Sequence, residues 1–273
     1  MFYTKNDSTK IGQVVYLIVF VVVLGVFLLA SIQLFFIFRT YHNGAKEYEG
    51  LKQHITKQGE GFGSGTLKEK DGDFEKSNGT FMLQIDFEGL KAQNNDCIAW
   101  IHFDTIDISY PLMQGEDNEY YLKHTFNKEE IAVGSIFMDW ENASDFTNDH
   151  TIIYGHNMKD GSMFAQVNRY KEKDFFLEHP DFWIYTPQAI YRYEIFSCYL
   201  AEVSGDSFDN RISTENVQKE AWIERIGTRS EYATGVPVKA EDKIVTLVTC
   251  NSAGEKYRFV VHAKQTEKIV YDK

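Results

Sequence analysis

The sequence has few cysteines, and their number and spacing exclude two common kinds of small, cross-linked protein. Only three cysteines occur among the 273 residues, at Cys97, Cys198 and Cys250. An odd count with no close spacing is not a disulfide framework, so at least one thiol is free. The sequence also lacks a Cys-x-x-Cys pair and any histidine and cysteine cluster typical of zinc binding. We therefore predict no metal site and no cofactor.

Positive charge is also scarce, and the sequence contains no internal repeat. The chain has 28 lysines and arginines against 40 aspartates and glutamates, which gives a formal net charge of −12. This balance argues against a nucleic-acid backbone as a partner. It also argues against electrostatic docking on anionic lipid.

Charge of either sign is absent from residues 11–38. A helix of this length is about 42 Å long, more than the roughly 30 Å hydrocarbon core of a bilayer, so the segment predicts a membrane helix. A buried core helix and a cleaved signal peptide are the alternatives. The run is too long for a signal peptide, and residues 30–32 (ASI) match a small-x-small cleavage site poorly. Basic residues on the two sides nearly balance, so the short tail and large C-terminal body favour a body outside the cell.

Four segments are therefore predicted. They are a cytoplasmic tail over 1–10, a transmembrane anchor over 11–38, a helical stalk and linker over 39–80, and a folded domain over 81–273. The linker, residues 59–80, combines many glycines with many charges and cannot bury a core.

The folded domain predicts a mainly β architecture. About eight strand-like runs alternate with loops and single short helices, which is typical of a barrel or rolled sheet with helical insertions. The predicted strands are 97–103, 106–113, 135–139, 150–156, 182–186, 191–203, 243–250 and 257–264. Short helices are predicted at 86–93, 118–124, 163–167 and 173–179. An amphipathic helix is predicted over 214–226, with Val217, Ala221, Trp222 and Ile226 near one face.

The thiol of Cys250 carries the first functional hypothesis. It closes the apolar, β-branched run Thr246-Leu247-Val248-Thr249-Cys250, and a turn-forming segment follows directly. Catalytic groups are often held at such a strand end, on a rigid edge facing a cleft. The alternative is that Cys250 is a small hydrophobic residue at the end of a strand. A nucleophilic cysteine needs a base or a positive neighbour, because the thiolate is the reactive form.

Two further residues at predicted strand ends supply those needs. His156 closes its strand, although taken alone it also fits an ordinary surface histidine. Arg258 lies eight residues after Cys250, so a hairpin would bring it back beside the thiol. A guanidinium there can stabilise a thiolate or a developing oxyanion. A metal site on the strand face shared by His150 and His156 lacks a third ligand.

The order of these three residues resembles that of the sortases, the membrane-anchored cysteine transpeptidases of bacterial cell surfaces. The segment at 246–250 (TLVTC) matches their TLxTC signature, 257–261 (YRFVV) their arginine-bearing final strand, and 154–157 (YGHN) their histidine segment. Within the family the sequence is most similar to class B, at 134–139 (GSIFMD), 118–122 (NEYYL) and 95–101 (NDCIAWI), and in the long helix before the cysteine strand. The resemblance runs from about residue 81 to the C-terminus.

The resemblance implies a sortase-type eight-stranded β-barrel and a transpeptidation reaction. Cys250 would attack the carbonyl after the threonine of a C-terminal sorting signal on a secreted protein and form a thioester. An amine of a cell-wall peptide precursor, or a pilin lysine, would resolve it. His156 would act as general acid and base, and Arg258 would hold the substrate and the oxyanion. Four further residues would line the groove for the signal peptide: Asn118, Leu122, Tyr154 and Thr249.

Three other interpretations compete with this one. Papain-like and other cell-wall cysteine hydrolases usually place the cysteine before the histidine, at the start of a helix. Caspase-like enzymes share the order His156 then Cys250, but their Gln-Ala-Cys-x-Gly pattern is missing. A non-catalytic surface-binding domain would have an ordinary thiol and no amine-dependent activity. The sequence departs from the usual class B pattern at Val248, where serine is common, so no hydroxyl contact is expected there.

Overall fold

The structure, a computed structural model, describes residues 7–57, 82–208, 216–250 and 256–271. The chain divides into two compact units, Met1–Gly44 and Ala45–Lys273. The predicted linker, residues 59–80, lies outside the described residues.

Helix α1 (Asp7–Leu51) contains the predicted anchor. Among the described residues, the stretch Gln13–His54 is the one helix long and apolar enough to cross a membrane, and none of its most apolar window is buried. The large apolar side chains described between Val14 and Phe38 are exposed. A core helix of a soluble protein would bury such side chains. Length and composition thus support a membrane helix.

The second unit contains a closed barrel of eight strands, in the order β10-β8-β7-β3-β4-β5-β6-β9, so the mainly β fold with helical insertions is confirmed. The barrel strands are β3 (Cys97–His102), β4 (Ser109–Met113), β5 (Ile136–Met138), β6 (His150–Gly155), β7 (Asp181–Tyr185), β8 (Ala189–Glu202), β9 (Ile244–Cys250) and β10 (Tyr257–Val270). Pairs β4–β5 and β6–β9 are parallel, and the other neighbours are antiparallel.

Short helices lie between these strands. They are α2 (Phe87–Gln93), α3 (Tyr120–Lys123), α4 (Lys173–Glu178) and α5 (Asn216–Thr228), with 3-10 helices at Lys52–His54, Ala165–Lys171 and Asp206–Phe208. The predicted cap of α2 is confirmed, because Asp86 accepts a hydrogen bond from the backbone N–H of Gly89 at 2.9 Å.

The end of the predicted stalk packs with the barrel unit. Tyr48 and Leu51 of α1 are buried at 5% and 3% exposure. After them β1 (Ile55–Lys57) pairs with β2 (Leu83–Ile85), two short strands that were not predicted. The compact unit thus begins at Ala45. A folded domain starting at residue 81 remains a prediction, to be tested by comparing the unfolding of chains that start at 45 and at 81.

The predicted apolar face of α5 is wrong at two of its four positions. Val217 is 77% exposed and Ala221 is also exposed, whereas Trp222 and Ile226 are buried as predicted. Val217 precedes Trp222 by five residues, which places it about 140° away around the helix. The position that joins the buried face is Lys219, whose Nζ lies 3.5 Å from the carboxylate of Asp149. An ion pair lets a polar residue replace an apolar one in the buried stripe.

Candidate active site

Strands β6, β9 and β10 lie side by side and bring the three predicted catalytic positions to one end of the barrel. β6 and β9 are parallel with Gly155 opposite Thr249, so His156 follows β6 at the end where Cys250 closes β9. β10 runs back antiparallel, with Arg258 opposite Cys250. The predicted return of the arginine to the cysteine by strand pairing is therefore confirmed.

A cleft of about 260 Å³ opens at this end of the barrel. Five of the predicted site residues line it: Asn118, Leu122, Tyr154, His156 and Arg258. The rest of its described wall is mostly apolar, with Phe137, Val203, Phe208 and Val248. Thr249 is buried and does not line the cleft, because side chains alternate along β9 and Val248 faces the cleft. A direct contact of Thr249 with a ligand in the cleft is therefore not expected.

A larger surface cleft, of about 750 Å³, lies beside β1 and β2. Its walls include His54 and Asp86, whose Nδ1 and Oδ2 atoms are 2.9 Å apart. None of the described residues that line it is a cysteine. The larger cleft is therefore not the candidate active site. The site is instead located by β9, the strand that carries Cys250.

The imidazole of His156 is held by a backbone carbonyl. Its Nε2 lies 2.7 Å from the carbonyl oxygen of Leu122, and the ring is half-buried. A carbonyl oxygen only accepts hydrogen bonds, so Nε2 carries the proton and donates it. Nδ1 is then the basic nitrogen of the neutral ring. The backbone beside it is fitted closely: a Cβ on Gly155 would lie 2.6 Å from the ring of Phe164.

Arg258 supplies positive charge to the wall of the cleft. Its side chain is half-buried, and Nη1 donates a hydrogen bond to the carbonyl of Tyr257 at 2.9 Å. This bond fixes the guanidinium near the strand end opposite Cys250. A cation in a partly apolar cleft stabilises negative charge more strongly than it does in water.

Sequence reasoning missed Asp139, a buried carboxylate behind the cleft. Its Oδ2 accepts hydrogen bonds from Asn118 Nδ2 at 2.8 Å and from the hydroxyl of Tyr154 at 3.0 Å. Asn118 Oδ1 in turn accepts from the backbone N–H of Trp140 at 3.0 Å. Burial, followed by the charge of Asp139, raises the pKa of Tyr154 well above its ordinary value. Tyr154 therefore stays neutral. The one available signal was the position of Asp139 at the end of a predicted strand.

Comparison with known proteins decides the family. The sortase domain model matches residues 101–266. The chain belongs to the sortase family. It is 37% identical over 191 residues to sortase B of Listeria monocytogenes, covering 68% of this chain and 76% of that protein. It is 33% identical over 183 residues to sortase B of Staphylococcus aureus, covering 65% and 73% respectively.

Solved class B structures share the fold of this sortase. Sortase B from Bacillus anthracis in complex with AAEK1 matches with a TM-score of 0.67 at 30% identity, over 84% of this chain and 99% of that one. The Staphylococcus aureus sortase B–substrate complex matches with a TM-score of 0.63 at 30% identity, over 66% and 84%. This sortase is therefore a cysteine transpeptidase of class B, and the competing hydrolase, caspase-like and binding-domain interpretations are excluded.

Proposed function

We propose that this sortase cleaves a C-terminal sorting signal of secreted proteins after its threonine, using Cys250 as the nucleophile. The acyl group is then transferred to an amine of a cell-wall peptide precursor or to a pilin lysine. The observation that carries the proposal is the strand register that sets Arg258 opposite Cys250, at the end of the barrel where His156 lines the cleft.

The reaction has two halves, and the same groups serve both. In the first, the thiol proton of Cys250 passes to His156 Nδ1, the thiolate attacks the carbonyl carbon of the threonine, and Arg258 stabilises the oxyanion. The C–N bond breaks, His156 Nδ1 protonates the leaving amine, and a thioester remains on Cys250. In the second, His156 takes a proton from the incoming amine, which attacks the thioester and releases the thiolate. The product carries an amide bond in place of the one that was broken.

The signal peptide is proposed to bind along Asn118, Leu122 and Tyr154. The wall they form with Phe137 and Val248 is apolar with a few fixed polar groups, which suits an extended peptide with apolar side chains. A class B relative, from Staphylococcus aureus, has been solved as a substrate complex, which supports the binding of a sorting-signal substrate.

The apolar helix α1 is proposed to anchor the enzyme in the cell membrane with the barrel outside the cell. The support is the length and composition of the span, and the exposure of its apolar side chains. Secreted substrates and a cell-wall amine are both available on that side.

A trapping experiment tests the nucleophile. Incubating the enzyme with a library of sorting-signal peptides and then digesting it should yield an acyl adduct on the Cys250 peptide. Cys250→Ala should abolish both the adduct and transpeptidation. Cys97→Ala and Cys198→Ala are the matched controls and should leave both largely intact. Burial raises the pKa of these two thiols, to about 12 and about 11, and so suppresses their thiolates. An adduct on either control cysteine would overturn the assignment.

A further inference from the structure

The loop between α3 and β5 rests on the last turn of α1. Tyr48, at 5% exposure, donates its hydroxyl proton to the carbonyl of Gly134 at 2.6 Å, and its oxygen lies 3.1 Å from Ser135 Oγ. Directly before Tyr48, Glu47 Oε1 accepts from the backbone N–H of Asn127 at 2.8 Å. Two separate points of the loop are thus bonded to α1.

The same loop lies against the carbonyl that holds the catalytic histidine. Gly134 has φ of +57°, and a Cβ at this position would lie 2.7 Å from the carbonyl oxygen of Leu122 and 2.8 Å from that of Tyr121. The neighbouring Ser135 N–H donates to the carbonyl of Tyr121 at 2.9 Å. Gly134 therefore lies close against the carbonyl of Leu122, whose oxygen accepts from His156 Nε2 at 2.7 Å.

We propose that Tyr48 is a positioning residue for His156, acting through Gly134 and the Leu122 carbonyl. This rests on the proposed role of His156 as acid and base. The chemical link is the tautomer of the imidazole. With the Leu122 oxygen in place, the neutral ring keeps its proton on Nε2, and Nδ1 is the basic nitrogen. When the oxygen shifts, that preference is lost, and the fraction of enzyme with the useful tautomer falls.

A purely packing role for Tyr48 makes a different prediction. A buried tyrosine that only fills space and satisfies a carbonyl would lower stability when altered, without any effect on a ring several contacts away. The matched control is Tyr170, which is also buried and donates its hydroxyl proton to a backbone carbonyl, that of His179, at 2.7 Å. Tyr170 does not line the cleft.

The experiment compares Tyr48→Phe and Tyr170→Phe in the full chain in detergent micelles. The ¹⁵N chemical shifts of labelled histidine report the tautomer of His156, assigned from the signals missing in His156→Gln. We expect a dominant Nε2–H tautomer in the wild type and in Tyr170→Phe, and a mixture in Tyr48→Phe. Turnover of a signal peptide should fall about 10-fold in Tyr48→Phe at unchanged KM, less than the roughly 10²-fold cost of a 1 Å misplacement.

A second variant disturbs the same carbonyl directly, at the residue through which Tyr48 is proposed to act. Gly134→Ala directs a Cβ at the Leu122 oxygen and should produce the same tautomer mixture. If Gly134→Ala changes the tautomer while Tyr48→Phe keeps the wild-type tautomer and turnover, the role of Tyr48 is overturned. The tautomer is read without substrate. A wild-type enzyme that forms no adduct on Cys250 would therefore sink the proposed function while leaving this comparison decided.

Discussion

Two histidine sites lie on the same face of the same three strands, and only one of them opens to the cleft. Tyr154 of β6 and Arg258 of β10 line the cleft. On β6, His150 lies four residues before Tyr154, and on β10, His262 lies four residues after Arg258. Thr246 of β9 joins the two histidines. Residues an even number apart on a strand share a face, so the two sites are neighbours on one surface. A layer of three buried apolar residues separates them: Ile152, Val248 and Val260.

The inner site is a chain of hydrogen bonds between buried side chains. Thr246 Oγ1 lies 2.7 Å from His150 Nε2 and 2.7 Å from His262 Nδ1. His262 Nε2 lies 3.2 Å from the hydroxyl of Tyr199. Trp222 of α5 covers both rings, at 4.8 Å and 5.9 Å between ring centroids. Every group in the chain can donate or accept with the two rings neutral, so the cluster needs no charge.

The difference shows which surroundings let a histidine take part in a reaction and which limit it to stabilising the fold. His262 is fully buried, and each of its ring nitrogens has a side-chain partner. His156 is half-buried at a cleft, and a backbone carbonyl orients its ring. A polar cluster roofed by a tryptophan can only stabilise the fold, whereas the ring that borders a cleft can exchange protons with a ligand.

The largest expected effect is that the two histidines control different properties, His156 the turnover and His262 the free energy of unfolding. His156→Ala should lower turnover by about 10²- to 10⁴-fold, because the leaving amine loses its acid, and should change stability little. His262→Ala should lower the free energy of unfolding by about 3 kcal/mol, because it leaves a cavity in a packed site and leaves the hydrogen-bond partners of the ring unsatisfied. Its turnover per folded molecule should stay near that of the wild type.

Urea unfolding and steady-state kinetics on the same two samples check this prediction. Turnover must be measured well below the unfolding midpoint of the weaker variant. Suppose that fully folded His262→Ala loses as much turnover as His156→Ala. The two sites would then not be independent, despite the apolar layer between them.

A smaller effect is expected at Arg258. Arg258→Lys keeps the charge but loses the planar set of donors. If directed hydrogen bonds stabilise the oxyanion, lysine should cost on the order of 10²-fold in turnover. If only the positive field matters, most of the activity should remain. Steady-state kinetics with a reactive signal peptide distinguish the two, and near-wild-type turnover would discard the oxyanion role. The matched control is Arg225→Lys, at an exposed arginine of α5 that pairs with Asp206.

The strands could be predicted because their signals are local. Runs such as residues 244–250 (IVTLVTC) are mostly β-branched, and the observed bounds agree within about three residues, except that β10 continues to Val270, beyond its predicted end at 264. The same holds for the return of Arg258 to Cys250, which depends only on two strands separated by a short turn. Strands β1 and β2 were missed because three residues carry too little periodicity, and their partners are far apart in the chain.

The finer parts of the site could not be predicted because their partners are distant or belong to the backbone. The carbonyl that orients His156 comes from Leu122, 34 residues earlier, and a carbonyl leaves no mark in a sequence. Asp139 joins Asn118 and Tyr154 from 21 and 15 residues away. Only the closed barrel brings these groups together.

The smallest expected effect sharpens the comparison through pH. Burial, and then the neighbouring charges of His150 and Arg229, hold the pKa of His262 well below its ordinary value, against an opposing effect of Asp206. Below about pH 6.5 the unfolded chain therefore binds a proton that the folded protein does not bind. Stability is unaffected by this group above that pH and falls as the pH decreases, by at most about 1.4 kcal/mol per pH unit.

Urea unfolding between about pH 5 and pH 7 measures that slope, above the range in which carboxylates titrate. His262→Gln should flatten most of it, since glutamine can hydrogen-bond but does not titrate. His179→Gln is the control: burial also lowers the pKa of His179, but this ring lies near the surface beside Glu178, which opposes the shift. Its removal should therefore change the slope less. An undiminished slope in His262→Gln would show that the inner site accepts a proton while folded, and the contrast between a structural and a chemical histidine would fail.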